Sequence, residues 1–471
     1  MRPGNTASHS PTTRHTDSDD APRTTAAPQG TTAPRTTAAP QGTTAPRTTA
    51  APQGTTAPRT TAAAKAAAAA RPAGDETPGD ETAADPVRES MRRLPGPLQL
   101  PLTFLTGRPL AGQGPVALSP GFHLATASLS VLAGAAVSAT GLVLGSWFLL
   151  LLLPGWAMTL HGQRNLRMMI YHQCSHRNMF GHRRLDTAIG NVISALLVIQ
   201  NFERYSREHV ADHHAVHHMT LRDPTVQAFL ISLDLHPGMT RRRMWRRVLL
   251  KAVSPRFHLA FAISRVRSFW HNGAAAEKAV ALALYGGGGV AAVLLGAWPA
   301  VLVVWFVPVG VLYQISNTLR LCVKHTFPAP GTTVRRGREY FGSLTNAIFI
   351  GEAAPAPGLP AATAALRWLR WSGRMALVHF PTRYLVLTGD TVVHDYHHRY
   401  PASRQWHDYI FARQQDLVDG HRNWPAYTAE WGLVAAINRV FDSLSAADPE
   451  EFDVARIRSV SKRELFAAFD D

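Results

Sequence analysis

The sequence predicts an all-α integral membrane protein, with four transmembrane helices in two hairpins and a cytoplasmic helical cap that carries clustered histidines. Three observations predict it. No Asp, Glu, Lys or Arg occurs from Pro109 to Gln163 or from Ala279 to Leu319. A run of arginines lies between these two stretches, and neither stretch contains one. Among the 22 histidines are three close-set clusters just beyond the apolar stretches.

The averages hide this organisation. With 46% hydrophobic and 17% charged residues and a mean hydropathy of -0.07, the 471 residues average to an ordinary soluble protein. Residues 1–93, however, contain no Leu, Ile, Phe, Trp, Tyr or Cys, and they repeat TTAAPQGTTAPR at 24–35, 36–47 and 48–59. Nothing in that repeat can be buried against a neighbouring copy, so 1–93 is expected to be a disordered low-complexity tail. It also lacks the apolar stretch of a signal peptide. The membrane domain is expected over 94–445, followed by a C-terminal tail at 446–471 with room for a short helix. The tail carries +2 of the formal net charge of +16, so the basic character belongs to the rest of the chain. Two cysteines, Cys174 and Cys322, exclude a disulfide-stapled scaffold and any thiolate-based zinc or iron-sulfur site within the chain.

A bilayer core of about 30 Å takes roughly 20 apolar residues per helix. The first charge-free stretch therefore holds one span to about Ala139 and a second from about Gly141 to Leu160. The second stretch holds two more, joined by a turn near Gly296 to Pro299. Both hairpins return to one side. Between Arg241 and Arg267 stand nine basic residues and no acid, which makes that side, with both termini, cytoplasmic by the positive-inside rule. Met244, Trp245, Val248, Leu249 and Leu250 interleave the arginines, so this run reads as an amphipathic helix on anionic lipid rather than a nucleic-acid contact. Topology alone accounts for the run equally well.

After the second span, His172 and His176 stand four residues apart, on one face of a helix. REHVADHHAVHH supplies His209, His213, His214, His217 and His218. His325 follows the fourth span, and HDYHH adds His394, His397 and His398. A structural zinc needs four ligands. Eight or nine imidazoles imply two metals, and imidazole suits Zn, Cu, Fe or Ni. Gln173 stands where the glutamate of an HExxH zinc protease would be, and the ExxH pairs of soluble carboxylate di-iron proteins do not occur. A histidine-rich di-iron centre at a membrane surface remains.

At these residues the chain resembles the membrane fatty acid desaturases, whose mark is three histidine boxes of the forms HxxxH, HxxHH or HxxxHH, and HxxHH. The first box is His172 and His176, the second His209, His213 and His214, the third His394, His397 and His398. His325 matches an additional histidine that follows the last span, although Lys324 stands where the family has an acid. His214, His217 and His218 also satisfy HxxHH and form the alternative second box. The Asp223-Pro224 turn, nine residues after His214, favours the first choice.

The resemblance implies two iron ions, O2 as co-substrate, and removal of vicinal hydrogens from a lipid acyl chain, with no catalytic side chain beyond the metal centre. Electrons would come from a separate ferredoxin- or cytochrome-type carrier and its reductase. Asn317 and Asp395 are expected near the ligands, Asn317 holding water or packing the helix, Asp395 orienting an imidazole. The same boxes occur in hydroxylases, ketolases and acetylenases acting on lipids. A histidine-relay metal transporter would place its site near the bilayer midplane, whereas these boxes lie outside the charge-free spans.

Overall fold

The computed structural model describes residues 84–333 and 336–457. The repeats of the tail and the last residues of the chain lie outside them. Structure begins earlier than expected from composition. Asp85 caps helix α1 (Pro86–Ser90) by accepting from the backbone N–H groups of Val87 and Arg88. Arg88, fully buried, donates to the Arg108 carbonyl at 2.9 Å, to Gln99 at 3.0 Å and to Thr103 at 3.1 Å on α2 (Gly96–Thr106) or just past it. Residues 84–93 therefore belong to the folded part, because their few large side chains, Arg88 and Met91, have partners there.

Among the described residues, three helices are long and apolar enough to cross a membrane: α3 (Pro120–Leu144), α9 (Ala275–Leu294) and α10 (Trp298–Leu321). At most 28% of each apolar window is buried in the protein, so their outward faces offer Leu129, Leu132, Val290, Leu302 and Phe306 to the surroundings. Pro120 opens α3, with Ser119 capping the Phe122 N–H at 3.1 Å. The three-residue turn between α9 and α10 holds Gly296 at φ +64°, a conformation that suits glycine.

The segment expected to be the second span differs. It starts as a 3-10 turn, Ser146–Leu151, and only then becomes α4 (Leu152–Asn165), fourteen residues long. The same helical run continues through Arg164 and Arg167 as a π-helical turn, Leu166–Tyr171, and ends in His172–Ser175. The helical run thus passes without a break from the apolar part to the first histidine pair. α4 nevertheless lies antiparallel along α3. A Cβ added at Gly155 would come within 2.2 Å of the Ser138 hydroxyl, at Gly162 within 2.5 Å of the Ala127 carbonyl, and at Gly134 within 2.5 Å of the Thr159 nitrogen. Small residues here let two backbones touch. α4 also runs beside α10, where the Trp156 indole donates to the Val303 carbonyl at 2.8 Å.

The remaining helices surround the ends of this bundle. α5 (Arg183–Leu197) and the run from Phe202 to Ala215, beginning with α6 (Phe202–Arg207), meet at a bend of 116°. α7 (Arg241–Val253) and α8 (Pro255–Asn272) follow. Met244 and Val248 of α7, expected to face lipid, are fully buried, and Trp245 packs edge-on against Phe441. That face is used by the C-terminal helix. After α10 come α11 (Ala361–Arg374), α12 (His394–Arg399), α13 (Tyr409–Val418) and α14 (Leu433–Ala446). Two short strands, β1 (Ala347–Phe349) and β2 (Ala429–Trp431), pair in parallel with Ile348 opposite Glu430. The fold does not end at 445: Phe452 is buried edge-on against Phe327.

Candidate metal centre

Four elements bring the histidines together. His172 and His176 lie one turn apart at the end of the α4 run. His325 follows α10, and α12 carries His394, His397 and His398. The second cluster occupies a π-helical turn, Glu208–Val216, and this explains its spacing. An α-helix brings positions three and four apart to one face, whereas a wider π turn, closed by i to i+5 bonds, brings together positions four and five apart. His209 thus meets both His213 and His214, with ring centroids at 5.4 and 4.5 Å.

Two groups result. The ligand nitrogens of His172, His176, His209, His214 and His397 lie within 4.8 Å of one another, and so do those of His213, His325, His394 and His398. All nine histidines of the three boxes and the following span fall in one group or the other. Each adjacent pair is divided: His213 and His398 join the second group, His214 and His397 the first. Helical neighbours point about 100° apart, so a doublet naturally serves two centres. Of the alternative second box, His217 lies half-exposed beside Asp212 at 3.9 Å and joins neither group. His218 is buried, donates its Nδ1–H to the His213 carbonyl at 2.9 Å, and stacks on Phe341.

The nitrogens converge. Nε2 of His172 and His209 are 2.7 Å apart, those of His209 and His214 3.0 Å, those of His214 and His397 3.1 Å, and those of His394 and His398 3.1 Å. Two nitrogens at right angles around one ion, each about 2.1 Å from it, are about 3 Å apart. The His176 and His213 Nε2 atoms and both ring nitrogens of His325 are buried without a hydrogen-bond partner. Neutral imidazoles in this arrangement fit a cation as the missing partner. Burial, reinforced by neighbouring imidazoles, holds His172, His209, His214, His397 and His398 well below the usual imidazole range, and lowers His176 and His218 to about 3. Their lone pairs are therefore available at neutral pH.

One carboxylate sets a ring direction, and a second lies near a ring without bonding it. Asp223, the landmark of the Asp-Pro turn, is fully buried and accepts from His213 Nδ1 at 3.0 Å. It is held by the Met219 and Thr225 N–H groups at 2.8 and 2.9 Å. It stands within reach of both His213 and His218, so it belongs to either reading of the second box. Asp390 lies 4.0 Å from His172 Nδ1, and burial raises its carboxyl to about 6.

Asp395 is not turned toward an imidazole as expected. It is taken by the buried Arg413, which donates to it at 2.7 and 3.0 Å, and by the Tyr396 N–H. A guanidinium offers a carboxylate two parallel bonds, which one ring N–H does not match. The side-chain oxygen of Asn317 accepts from Arg164 at 2.7 Å, below the histidines between α4 and α10. Arg164, Arg167, Arg320 and Lys324 are all buried near this level. Their signal in the sequence is their position: Arg164 and Arg320 are the first charges after the two apolar stretches.

No curated protein matches the chain. The family model described as Fatty acid desaturase matches residues 145–409. That is more than half of the sequence, and it runs from the start of the second apolar segment through all three boxes. With the apolar helices and the two imidazole groups, this match establishes that the chain belongs to the fatty acid desaturase family, oxidoreductases that act on fatty acyl chains at membranes.

Proposed function

We propose that the two imidazole groups hold two iron ions and that the chain is an O2-dependent desaturase that introduces a double bond into a lipid acyl chain. The observation that carries the reading is the division of nine histidines, seven of them buried and His176 and His214 half-buried, into converging sets of five and four. When bound, the iron pair supplies an oxidant able to take hydrogen from an unactivated C–H bond. The chain supplies position. His172, His176, His209, His214 and His397 would hold one ion, and His213, His325, His394 and His398 the other. Asp223 fixes the tautomer and direction of His213 through its ring N–H, a support on which metal affinity commonly depends. The two vicinal hydrogens, two electrons from the carrier and two protons from solvent together reduce one O2 to two waters as the double bond forms.

The antiparallel contact of α3 with the 146–165 segment and the α9–α10 turn support a four-span arrangement in two hairpins. The nine basic residues of 241–267 support a cytoplasmic histidine side and a docking face for an acidic electron carrier.

Purified protein is expected to hold two irons per chain. His209→Ala is expected to lose iron and His217→Ala to keep it; full retention in His209→Ala overturns the ligand assignment. Lipid profiling after expression with a reductant system separates the chemistries. A new double bond supports desaturation, and a hydroxy or keto product from the same acyl chain replaces it with oxygen insertion.

A further inference from the structure

We infer that α8 and α11 lie in the plane of the membrane, with their exposed apolar stripes in the headgroup–acyl boundary of the anionic leaflet on the histidine side. This rests on the reading of α3, α9 and α10 as membrane spans. The helical run that starts as α11 continues through two π turns, Met375–His379 and Thr382–Val386. One face is committed to the protein: Trp371, Met375 and His379 are buried. Away from that face run Leu366, Leu369, Leu377 and Phe380, with Leu369 72% and Leu377 79% exposed. The spacing of three, eight and three residues keeps them on one side of a helix at about 100° per residue. Arg367 and Arg370 follow one edge of the stripe, with Arg374 beside them paired to Glu352 at 2.7 Å, and residues 353–389 contain four arginines, no lysine and no acid.

The stripe starts from the bundle at a defined height. Tyr384 stacks on His161 of α4 at 3.8 Å and 3°, Phe380 stacks on Tyr384 at 5.2 Å, and the Leu385 carbonyl accepts from Ser316 of α10. His161 and Ser316 both lie within the charge-free stretches, a few residues from their ends. α8 meets the bundle at the same height. Its buried Arg265 stands 4.9 Å over the Tyr313 ring of α10 and donates to the Val198 carbonyl at 3.1 Å. Outward it presents Leu259, Ile263, Val266 and Trp270, at successive turns of the helix, and Leu249, Leu250 and Val253 at the end of α7 extend the patch.

Large apolar patches edged by cations occur where a helix lies on anionic lipid. Arginine stems bury along the apolar face while the guanidinium reaches the phosphates. A second copy of the chain is the poorer occupant, because two stripes each edged by arginines repel. The interfacial role expected from sequence for the face of α7 thus passes to α8 and α11, whose apolar faces the protein leaves open.

The natural cysteines, Cys174 and Cys322, are buried, so a single introduced cysteine takes a nitroxide label selectively. Full-length protein carrying Leu369→Cys, Leu377→Cys or Ile263→Cys is reconstituted into vesicles of phosphatidylcholine and phosphatidylglycerol. Collision with O2 and with a water-soluble nickel chelate is then measured. Leu132→Cys on α3 gives the bilayer reference, and Gln415→Cys on the polar surface of α13 gives the aqueous one. The three test positions are expected to fall between the two references, with an oxygen-to-nickel ratio below that of Leu132→Cys and several-fold above that of Gln415→Cys. Nickel access equal to that of Gln415→Cys overturns the inference. So does loss of both collisions with spin–spin broadening between copies, which assigns the stripe to a protein interface. If Leu132→Cys is itself open to nickel, the spanning reading fails instead.

Discussion

Asp223 is the residue whose removal separates support of a ligand from ligation itself. It touches His213 through a ring N–H and is fixed by two backbone N–H groups. Asp223→Asn keeps the shape and weakens the hold on that imidazole, and is expected to lower metal affinity by about 10–100-fold. The readout is metal retained against a chelator series, with the first group's metal lost later than the second's. Asp395 makes the opposite case. Bound to Arg413 with both side chains almost fully buried, it serves stability: Asp395→Ala leaves a buried guanidinium without its carboxylate and is expected to cost about 3–5 kcal/mol. Denaturation of the detergent-solubilised protein measures this, and an unchanged midpoint would refute it. The box histidines were legible because their spacing is local. Asp395 was misread because its partner lies 18 residues away in another helix, where spacing says nothing. Asp223 was noticed only as a landmark, since nothing in Asp-Pro announces that the carboxylate turns back ten residues.

At the scale of elements, the apolar helices were read from missing charge, and three of the four expected spans stand as long helices. The fourth was legible as an apolar stretch but not as a helix in two parts, because a run of leucines fits a 3-10 turn and an α-helix alike. What composition leaves out is the glycine face. Gly134, Ser138 and Gly141 of α3 oppose Gly155, Thr159 and Gly162 in and around α4, with no room for a Cβ at the glycines. Gly155→Leu forces these backbones apart, and overpacking of this kind costs roughly 1–3 kcal/mol or more. A lower thermal midpoint in detergent is expected, with metal content falling alongside because α4 leads directly into His172. The π turn at Glu208–Val216 was also present in the sequence, as the one residue by which HxxxHH exceeds HxxHH.

At the scale of the molecule, residues from 84 onward are tied to the fold: Asp85 caps α1 and accepts from the Trp431 indole at 3.0 Å. Removal of residues 1–83 is expected to leave the thermal midpoint unchanged. Removal of 1–93 also takes away Arg88 and Met91 and is expected to lower stability by about 2–5 kcal/mol, the range for losing a buried Met side chain. Equal midpoints for the two truncations would place the boundary back at 93. Composition placed residues 84–93 outside the fold, because one buried arginine and one methionine are too few to register in an average. The divided histidine doublets have a consequence for the whole centre. His213 and His214 are consecutive, as are His397 and His398, and consecutive Cα atoms are always about 3.8 Å apart. The gap between the two nitrogen sets is therefore gauged twice by covalent geometry, on two helices facing one another. The two nitrogen sets are thereby tethered to one another at two points, and a shift of either helix moves both sets together.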